Sequence, residues 1–141
     1  METVVISGYF DPLHIGHLEY INKSKKNIEN WAKDNVRLIA IVNNDKQAEL
    51  KKGKSFIPEG ERLAIASNIK AVDFAVISID EDRTVNNTLR LLHNLFGVTV
   101  FTNGGDVTKC AEEETCKELG IHFFYGFGKK IQSSSNLTKI K

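Results

Sequence analysis

The sequence has few of the residues that build disulfide-rich domains, and no apolar run long enough to cross a membrane. It contains two Cys and two Pro in 141 residues, and two cysteines without metal-ligand spacing make neither a disulfide framework nor a metal site. Because disulfides are rare in cytosolic proteins, we expect Cys110 and Cys116 to be free thiols on one helix. No apolar run approaches the ~18 residues of a transmembrane helix, and the first residues lack the features of a signal peptide. These absences predict a cytoplasmic protein that does not enter a membrane.

An excess of charge of either sign is also missing. Lys and Arg number 19 and Asp and Glu number 18, which leaves a formal net charge of +1. We therefore expect no binding of nucleic acid through bulk charge, although a local patch for phosphates is compatible with this balance. A length of 141 residues with 41% hydrophobic residues predicts a single domain over residues 1–141.

Common motifs of other α/β enzymes are absent as well. No G-x-G-x-x-G follows the first predicted strand, which argues against a dinucleotide-binding fingerprint. Neither the P-loop pattern G-x-x-x-x-G-K-[ST] nor the nucleophile elbow G-x-S-x-G occurs. The chemistry must therefore be sought in another pattern.

What the sequence does contain is an alternation of short apolar runs and longer helical patterns. Five runs are apolar throughout, as in strands covered on both faces: 3–7, 36–42, 74–79, 98–102 and 121–125. Helical patterns lie between or after them: 17–33, 59–71, 85–96, 108–119 and a last short helix from Ser133. The alternation predicts right-handed crossovers and a parallel sheet with helices on both faces. Ligands of such sheets bind at the carboxyl ends of the strands, so the informative residues should follow the strands.

The segment after the first strand, 8–17, reads Gly-Tyr-Phe-Asp-Pro-Leu-His-Ile-Gly-His. Gly8 lets the chain turn sharply and lets a ligand approach the backbone. His14 and His17 are three residues apart, so on the first turn of a helix both rings lie on one face. Together with the helix N-terminus they form an anion site that suits a triphosphate. The alternatives are two surface histidines after a tight turn, or a zinc site, which would need a further ligand.

This segment resembles the G-x-F-D-x-x-H-x-G-H signature of the cytidylyltransferase-like nucleotidyltransferases, and later segments match in order along nearly the whole chain. The resemblance implies a compact, Rossmann-like, three-layer α/β domain with a five-stranded parallel sheet. It implies that His14 and His17 bind the triphosphate and stabilise the transition state. It also implies nucleotide contacts from the residues around them, at Gly8, Tyr9, Phe10 and Gly16.

Two further matches follow the second strand. The family commonly places an aspartate near the acceptor there, and Asp45 matches it; an Asx cap or turn is the alternative. Asp11 in the first motif is assigned to the acceptor as well. The sequence Leu-Lys-Lys-Gly-Lys at 50–54 resembles a lysine-glycine loop that contacts phosphates. Lys51 and Lys52 are therefore candidate catalytic residues, with a solvated loop as the alternative.

The remaining matches concern the nucleotide. Arg62 resembles the arginine of a family pair that reaches the nucleotide, and an exposed helical salt bridge is the alternative. Asn103, Gly105 and Asp106 resemble a G-G-D turn beside the base and ribose, and a plain turn is the alternative. Residues 131–137 resemble the second family signature, I-S-[ST]-[ST]-x-[IL], in which hydroxyls and backbone N–H groups bind phosphates. The residues concerned are Ser133, Ser134 and Ser135; a serine N-cap is the alternative.

Two departures occur near the second signature. Lys129 or Lys130 stands where the family often has an arginine, and Gln132 stands where isoleucine is usual. A lysine supplies the charge of the arginine but not its planar fork. The pattern stays recognisable, and the individual residues there are less securely matched.

The resemblance implies that an acceptor phosphate attacks the α-phosphorus of a nucleoside triphosphate and that pyrophosphate leaves. Positioning and charge stabilisation carry such a reaction, without a general base. Mg²⁺ would arrive with the triphosphate, and no protein side chain is assigned to a metal. Because family members are often dimers, we expect a homodimer.

The substrates are chosen between two branches of the family. The small size and the Gly-Tyr-Phe-Asp opening suit glycerol-phosphate cytidylyltransferases, whereas segments 43–53 and 103–106 look close to heptose-phosphate adenylyltransferase domains. We expect CTP and a polyol, amino-alcohol, amino-acid-derived or sugar phosphate, which would give a CDP-activated precursor for a surface polymer or lipid. The alternatives are an adenylyltransferase for a sugar phosphate such as heptose phosphate, and a non-catalytic nucleotide-binding regulatory module.

Overall fold

The computed structural model describes residues 1–104 and 110–127, and its strands form a five-stranded parallel sheet in the order β3-β2-β1-β4-β5. The strands are β1 (Glu2–Gly8), β2 (Val36–Val42), β3 (Phe74–Ile77), β4 (Val100–Gly104) and β5 (His122–Phe127). The helices are α1 (Ile15–Ala32), α2 (Asp45–Lys52), α3 (Glu59–Ser67), α4 (Asn86–Phe96) and α5 (Glu113–Leu119). None of the helices in the described ranges is long and apolar enough to cross a membrane.

Helices cover both faces of the sheet because consecutive strand residues point to opposite sides. Val5 of β1 packs with Leu89 of α4 and Cys116 of α5. Its neighbour Ile6 packs on the other side, with Ile21 of α1 and the α3 residue Ala66. The predicted Rossmann-like, three-layer α/β fold is therefore confirmed.

The order of the strands determines where a ligand can bind, at the carboxyl ends of the central strands. β1 and β2 pair in register from Glu2↔Val36 to Gly8↔Val42, so their carboxyl ends lie side by side. From β1 the chain moves to β2 and β3, and then crosses to β4 on the other side of β1. Such a reversal opens a crevice beside the carboxyl ends of the central strands.

One helix was not predicted from the sequence. α2 occupies a segment that was interpreted as a loop, so Lys51 and Lys52 lie in the last turn of a helix. Its buried residues are Gln47 and Ala48, which leaves no apolar stripe with a helical period. Asn44 is the N-cap and accepts the N–H of Gln47 at 2.8 Å, so the Asx cap considered for this turn is present, one residue before Asp45.

Smaller differences concern the ends of elements. The predicted helix 59–71 ends at Ser67, and the predicted helix 108–119 begins only at Glu113. Cys110 therefore lies before α5 and Cys116 within it, although both are free thiols as expected. Burial raises the pKa of each thiol to about 12. The predicted helix from Ser133 lies outside the described residues.

Candidate functional site

Two histidines close the first turn of α1. His14 is the N-cap residue, and its Nδ1 accepts the N–H of Gly16 at 3.1 Å. In return, His17 Nδ1 accepts the N–H of His14 at 3.0 Å. This is a capping box in which imidazoles stand in for the usual serine and glutamate. The ring centroids lie 3.9 Å apart, so the spacing in the sequence does bring both rings to one face.

The capping bonds also determine which nitrogen carries the proton. Because each Nδ1 accepts a hydrogen bond from the backbone, a neutral ring holds its proton on Nε2. Burial, followed by the neighbouring His14 and Lys51, lowers the pKa of His17 from 6.5 to about 4. His17 is therefore neutral near pH 7, and its Nε2–H is a hydrogen-bond donor at the N-terminus of a helix.

Phe10 packs against the His17 ring of this pair. It adopts a left-handed backbone conformation with φ of 52° and is 3% exposed. Its ring meets the His17 ring edge to face at 5.1 Å. A Cβ on Gly8 would come within 2.8 Å of the Phe10 ring, so the packing of Phe10 requires a residue without a side chain at position 8. Gly8 and Phe10 thus act on the site by packing under His17.

Asp11 joins the loop after β1 to the segment before α3. Its carboxylate accepts the N–H groups of Phe56 at 2.9 Å and Ile57 at 2.7 Å, and it pairs with Lys52 Nζ at 3.0 Å. Burial opposes ionisation, but these hydrogen bonds outweigh it and lower the pKa of Asp11. The side chain has no exposed surface, so the structure gives Asp11 a positioning role and not the expected contact with an acceptor.

Arg62 is a second buried connector, and its prediction needs correction. The residue is 0% exposed. Its guanidinium donates to the carbonyl oxygens of Ile57, Tyr9 and Asn43 at 2.6–2.8 Å and pairs with the Asp45 carboxylate at 2.7 Å. The alternative of an exposed helical salt bridge for Arg62 is therefore wrong. The predicted contact with the nucleotide does not fit this conformation either, because the guanidinium has no solvent-accessible surface. Arg62 instead fixes the loops that follow β1 and β2.

Asp45 is committed to the same network. Besides Arg62 it is linked to Glu59, whose carboxylate accepts the N–H of Asp45 at 2.7 Å. Burial alone would raise the pKa of Asp45. Its hydrogen bonds, including the one from Arg62, outweigh burial and lower the pKa overall. About a third of the side chain, 35%, stays exposed. An acceptor contact from Asp45 stays a prediction, and its established partner is Arg62.

The two lysines of the predicted phosphate loop differ in their contacts. Lys52 donates to the Asp11 carbonyl oxygen at 2.8 Å in addition to its ion pair with that residue. Lys51 Nζ lies 4.3 Å over the Tyr9 ring. Burial and the charges of Lys52 and Arg83 lower the pKa of Lys51. Lys51 is thus the lysine held near His17 without an ion pair in the described part of the chain.

The structure also uses residues that the sequence analysis missed. Gln47 is fully buried, and its side-chain amide donates to the carbonyl oxygens of Asp82 at 2.7 Å and Thr84 at 2.8 Å. Asn44 donates to the carbonyl oxygens of Ser78 and Asp80, both at 3.0 Å. These amides hold the loop after β3 against α2. The Asn-x-x-Gln spacing of a capping box was the available signal.

The nucleotide half of the predicted site is described only in part. Asn103 lies in β4, at the same end of the sheet, and is half-buried. On the adjoining residue, the Thr102 carbonyl accepts the Tyr20 hydroxyl at 2.6 Å, which ties β4 to α1. The other predicted residues lie outside the described ranges: Gly105, Asp106, Lys129, Lys130, Gln132, Ser133, Ser134 and Ser135.

Comparison with known proteins identifies the family of this chain. The sequence model of the cytidylyltransferase-like family matches residues 5–125. The chain is 28% identical over 149 residues to the bifunctional protein HldE of Cronobacter sakazakii, covering 95% of this chain and 28% of that protein. The HldE protein of Psychromonas ingrahamii is 29% identical over 135 residues, covering 85% of this chain and 27% of that protein. This chain thus spans little more than a quarter of the length of these relatives.

A solved structure is similar over most of its length. The lipopolysaccharide core biosynthesis protein from Thermoplasma volcanium GSS1 matches with a TM-score of 0.68 and 26% sequence identity. The match covers 89% of this chain and 95% of that one. The α/β fold of this chain is therefore shared with the Thermoplasma protein.

Proposed function

Because this chain belongs to the cytidylyltransferase-like nucleotidyltransferase family, we propose that it transfers a nucleotidyl group from a nucleoside triphosphate to the phosphate of a small acceptor. The observation that carries the proposal is the capping pair of His14 and His17. Backbone N–H groups hold both Nδ1 atoms, so each ring carries its N–H donor on Nε2, at the positive end of the α1 dipole.

The chemistry follows from this arrangement. An oxygen of the acceptor phosphate attacks the α-phosphorus in line, the bond to the β-phosphate oxygen breaks, and pyrophosphate leaves with the electron pair. Negative charge grows on the phosphate oxygens during this step, and pre-positioned donors stabilise it by about 2.7–4 kcal/mol each. His17 donates without giving up its proton, and Lys51 adds positive charge beside it. A phosphate monoester is a competent nucleophile near neutral pH, so no general base is assigned.

Mg²⁺ is expected to arrive on the triphosphate. Among the described residues no three His, Cys, Asp or Glu side chains come together as a metal site, and Asp11 and Asp45 are already paired with cations. These residues therefore fit an ion that is held by phosphate oxygens. When bound, it would neutralise phosphate charge, while this chain contacts the phosphates.

Different observations favour different nucleotides. The Thermoplasma protein is named for lipopolysaccharide core biosynthesis, and segment 43–53 looks close to heptose-phosphate adenylyltransferase domains. These two observations support ATP with a sugar phosphate. The Gly-Tyr-Phe-Asp opening supports CTP with a polyol or amino-alcohol phosphate. We place ATP first and keep CTP, the original expectation, as the second candidate.

The test is pyrophosphate release from each of four nucleoside triphosphates with Mg²⁺, against a panel of phosphorylated heptoses, polyols and amino alcohols. We expect release with one pair of substrates and its loss in His17→Ala. His122→Ala serves as the matched control, because His122 lies on β5 beside Trp31 at 5.0 Å. Binding of a triphosphate without release, across the panel, would favour a regulatory module. Failure to bind any triphosphate would overturn the proposal.

A further inference from the structure

The central strand β1 pairs with its two neighbours over different lengths. Its pairing with β2 continues to Gly8, the last residue of the strand. Its pairing with β4, within residues 1–104, ends at Val5↔Phe101, although the same register would next join Ile6 and Thr102. β1 and β4 therefore separate at the point where the strand order reverses. Parallel sheets bind their ligands in the crevice at such a point.

A side-chain hydroxyl binds the backbone where this pairing ends. Tyr20 Oη donates to the Thr102 carbonyl oxygen at 2.6 Å, and Thr102 Oγ1 lies 3.4 Å from the same hydroxyl. In a continued ladder, hydrogen bonds between the two backbones would hold the strands together here. Burial raises the pKa of the Tyr20 hydroxyl, although Thr102 and the backbone of Ser7 act against this shift. The hydroxyl therefore stays protonated near neutral pH and remains a donor.

Tyr20 belongs to the helix that carries the histidine pair. It follows His17 by three residues on α1, and its side chain is buried. Its acceptor, Thr102, directly precedes the predicted nucleotide residue Asn103. The hydrogen bond thus joins the histidine helix to the carboxyl end of β4. A phosphate chain at the N-terminus of α1 would place an attached nucleoside beside the β1–β4 crevice.

A second buried contact between α1 and β4 lacks this feature. Ser24 Oγ lies 2.9 Å from Thr102 Oγ1, and Ser24 is fully buried. This contact holds the side chain of Thr102 and not its carbonyl group, and it lies one helical turn further from the histidine pair. Ser24 therefore separates a general contribution to stability from the specific effect of the Tyr20 hydroxyl on the backbone of β4.

We propose that Tyr20 is a positioning residue for the triphosphate substrate, and that its hydroxyl fixes the end of β4 at the distance from β1 that the nucleoside requires. The identity of the ligand rests on the proposed function, whereas the separation of the strands and the bond to Thr102 are features of the fold. Tyr20 acts through the backbone of β4 and does not itself touch the substrate. Its loss should therefore weaken the binding of the nucleoside and leave the phosphate contacts of the histidine pair in place.

The test compares Tyr20→Phe, which removes only the hydroxyl oxygen, with the wild type and with Ser24→Ala as the matched control. ATP, CTP and inorganic tripolyphosphate are titrated into each protein by calorimetry. We expect Tyr20→Phe to weaken the binding of the nucleoside triphosphate about 2- to 10-fold, the factor that one net hydrogen bond supplies. Tripolyphosphate, which lacks a nucleoside, should bind the wild type and Tyr20→Phe equally. Ser24→Ala should lower the urea midpoint and keep the affinity for the nucleoside triphosphate.

Equal affinity of the wild type and Tyr20→Phe for ATP and CTP would overturn the proposal while the proposed function stands. An equal loss in Ser24→Ala would also overturn it, because any buried contact between α1 and β4 would then suffice. Amide hydrogen exchange at residues 102–104 tests the effect on β4 without a ligand. We expect faster exchange in Tyr20→Phe than in Ser24→Ala, and unchanged exchange would refute the fixing of β4. If the wild type binds neither ATP nor CTP, the proposed function fails and the role in substrate binding fails with it, whereas exchange still decides whether the hydroxyl fixes β4.

Discussion

Two polar clusters lie at the carboxyl ends of β1, β2 and β3, and they use their hydrogen bonds in opposite ways. In the buried connector cluster, the charged groups of Arg62 and Asp11 form hydrogen bonds with backbone atoms, and both bind the backbone of Ile57. In the ligand-facing cluster, His17 gives only its Nδ1 to the backbone, and Lys51 forms no ion pair within residues 1–104 and 110–127. In the sequence, both clusters consist of charged or polar residues that follow strands, so the sequence pattern does not distinguish them. What separates scaffold from site is whether the donors are already satisfied.

The difference shows that a charged residue beside a binding edge need not touch the ligand. A buried guanidinium with several acceptors has lost its water and gained fixed partners, so it has nothing left to offer a phosphate. Cations without a carboxylate partner keep their capacity for an anion. Substitutions that act on one cluster only test whether that cluster contributes to stability or to activity.

Replacing Arg62 should have the largest effect, and on stability. Arg62→Met leaves the Asp45 carboxylate without its partner and three carbonyl oxygens without a donor. We expect a loss of about 3–5 kcal/mol in the free energy of unfolding, measured by urea denaturation. Arg62→Lys should lose less because it keeps the charge. Near-native stability with lost triphosphate binding would instead make Arg62 a ligand-binding residue.

Replacing His14 should affect catalysis first. His14→Asn keeps a side-chain acceptor at the N-cap but lacks the imidazole. We expect the variant to lose about 2.7–4 kcal/mol of transition-state stabilisation, which lowers the rate, while its free energy of unfolding changes little. His14→Ala should lose the same activity and about 1 kcal/mol of stability in addition. Steady-state kinetics and urea denaturation measure the two effects. Full activity of His14→Asn would show that the ring only caps the helix.

A methyl group on Gly8 should have an intermediate effect. The Cβ of Gly8→Ala would lie 2.8 Å from the buried Phe10 ring, which must move and disturb the His17 ring that it supports. We expect a loss of about 1–3 kcal/mol in stability, together with reduced activity. Gly60→Ala is the control, because a Cβ there has nothing within 4 Å. It should be neutral or stabilising by up to about 1 kcal/mol. Equal stability of the two variants would contradict the packing role of Gly8.

A dependence of stability on pH is expected as well. His17 has a pKa of about 4 when folded against 6.5 as its ordinary value, so the unfolded chain binds a proton more readily. The stabilisation is complete above pH 6.5 and declines as the pH falls towards 4. Asp11 and Asp45 have lowered pKa values and lose their contribution only in stronger acid. His17→Gln should remove the decline in urea midpoints between these pH values, and a folded His17 titrating near 6.5 by NMR would refute the burial effect.

Much of this protein could be predicted from the order of its residues. The alternation of apolar runs and helical patterns determined the α/β fold, because strand and helix periods are local properties. The spacing of His14 and His17 placed both rings on one helical turn for the same reason. α2 was missed because its buried surface is mostly the polar Gln47 and contributes no apolar stripe. Patterns of hydrophobicity do not register a buried amide.

The roles of Arg62 and Asp11 were decided only by the tertiary structure. The partners of these two residues lie up to 53 residues away in the chain, and a sequence shows neither burial nor the hydrogen bonds formed across such distances. Arg62 and Asp11 are buried among acceptors and donors, whereas Lys51 lies over the Tyr9 ring and forms no ion pair in the described part of the chain. The sequence by itself determined the sheet, the helix start and the histidine pair, because these depend on near neighbours. Three-dimensional packing decided which charges are buried and paired within the scaffold, because that depends on desolvation and long-range pairing.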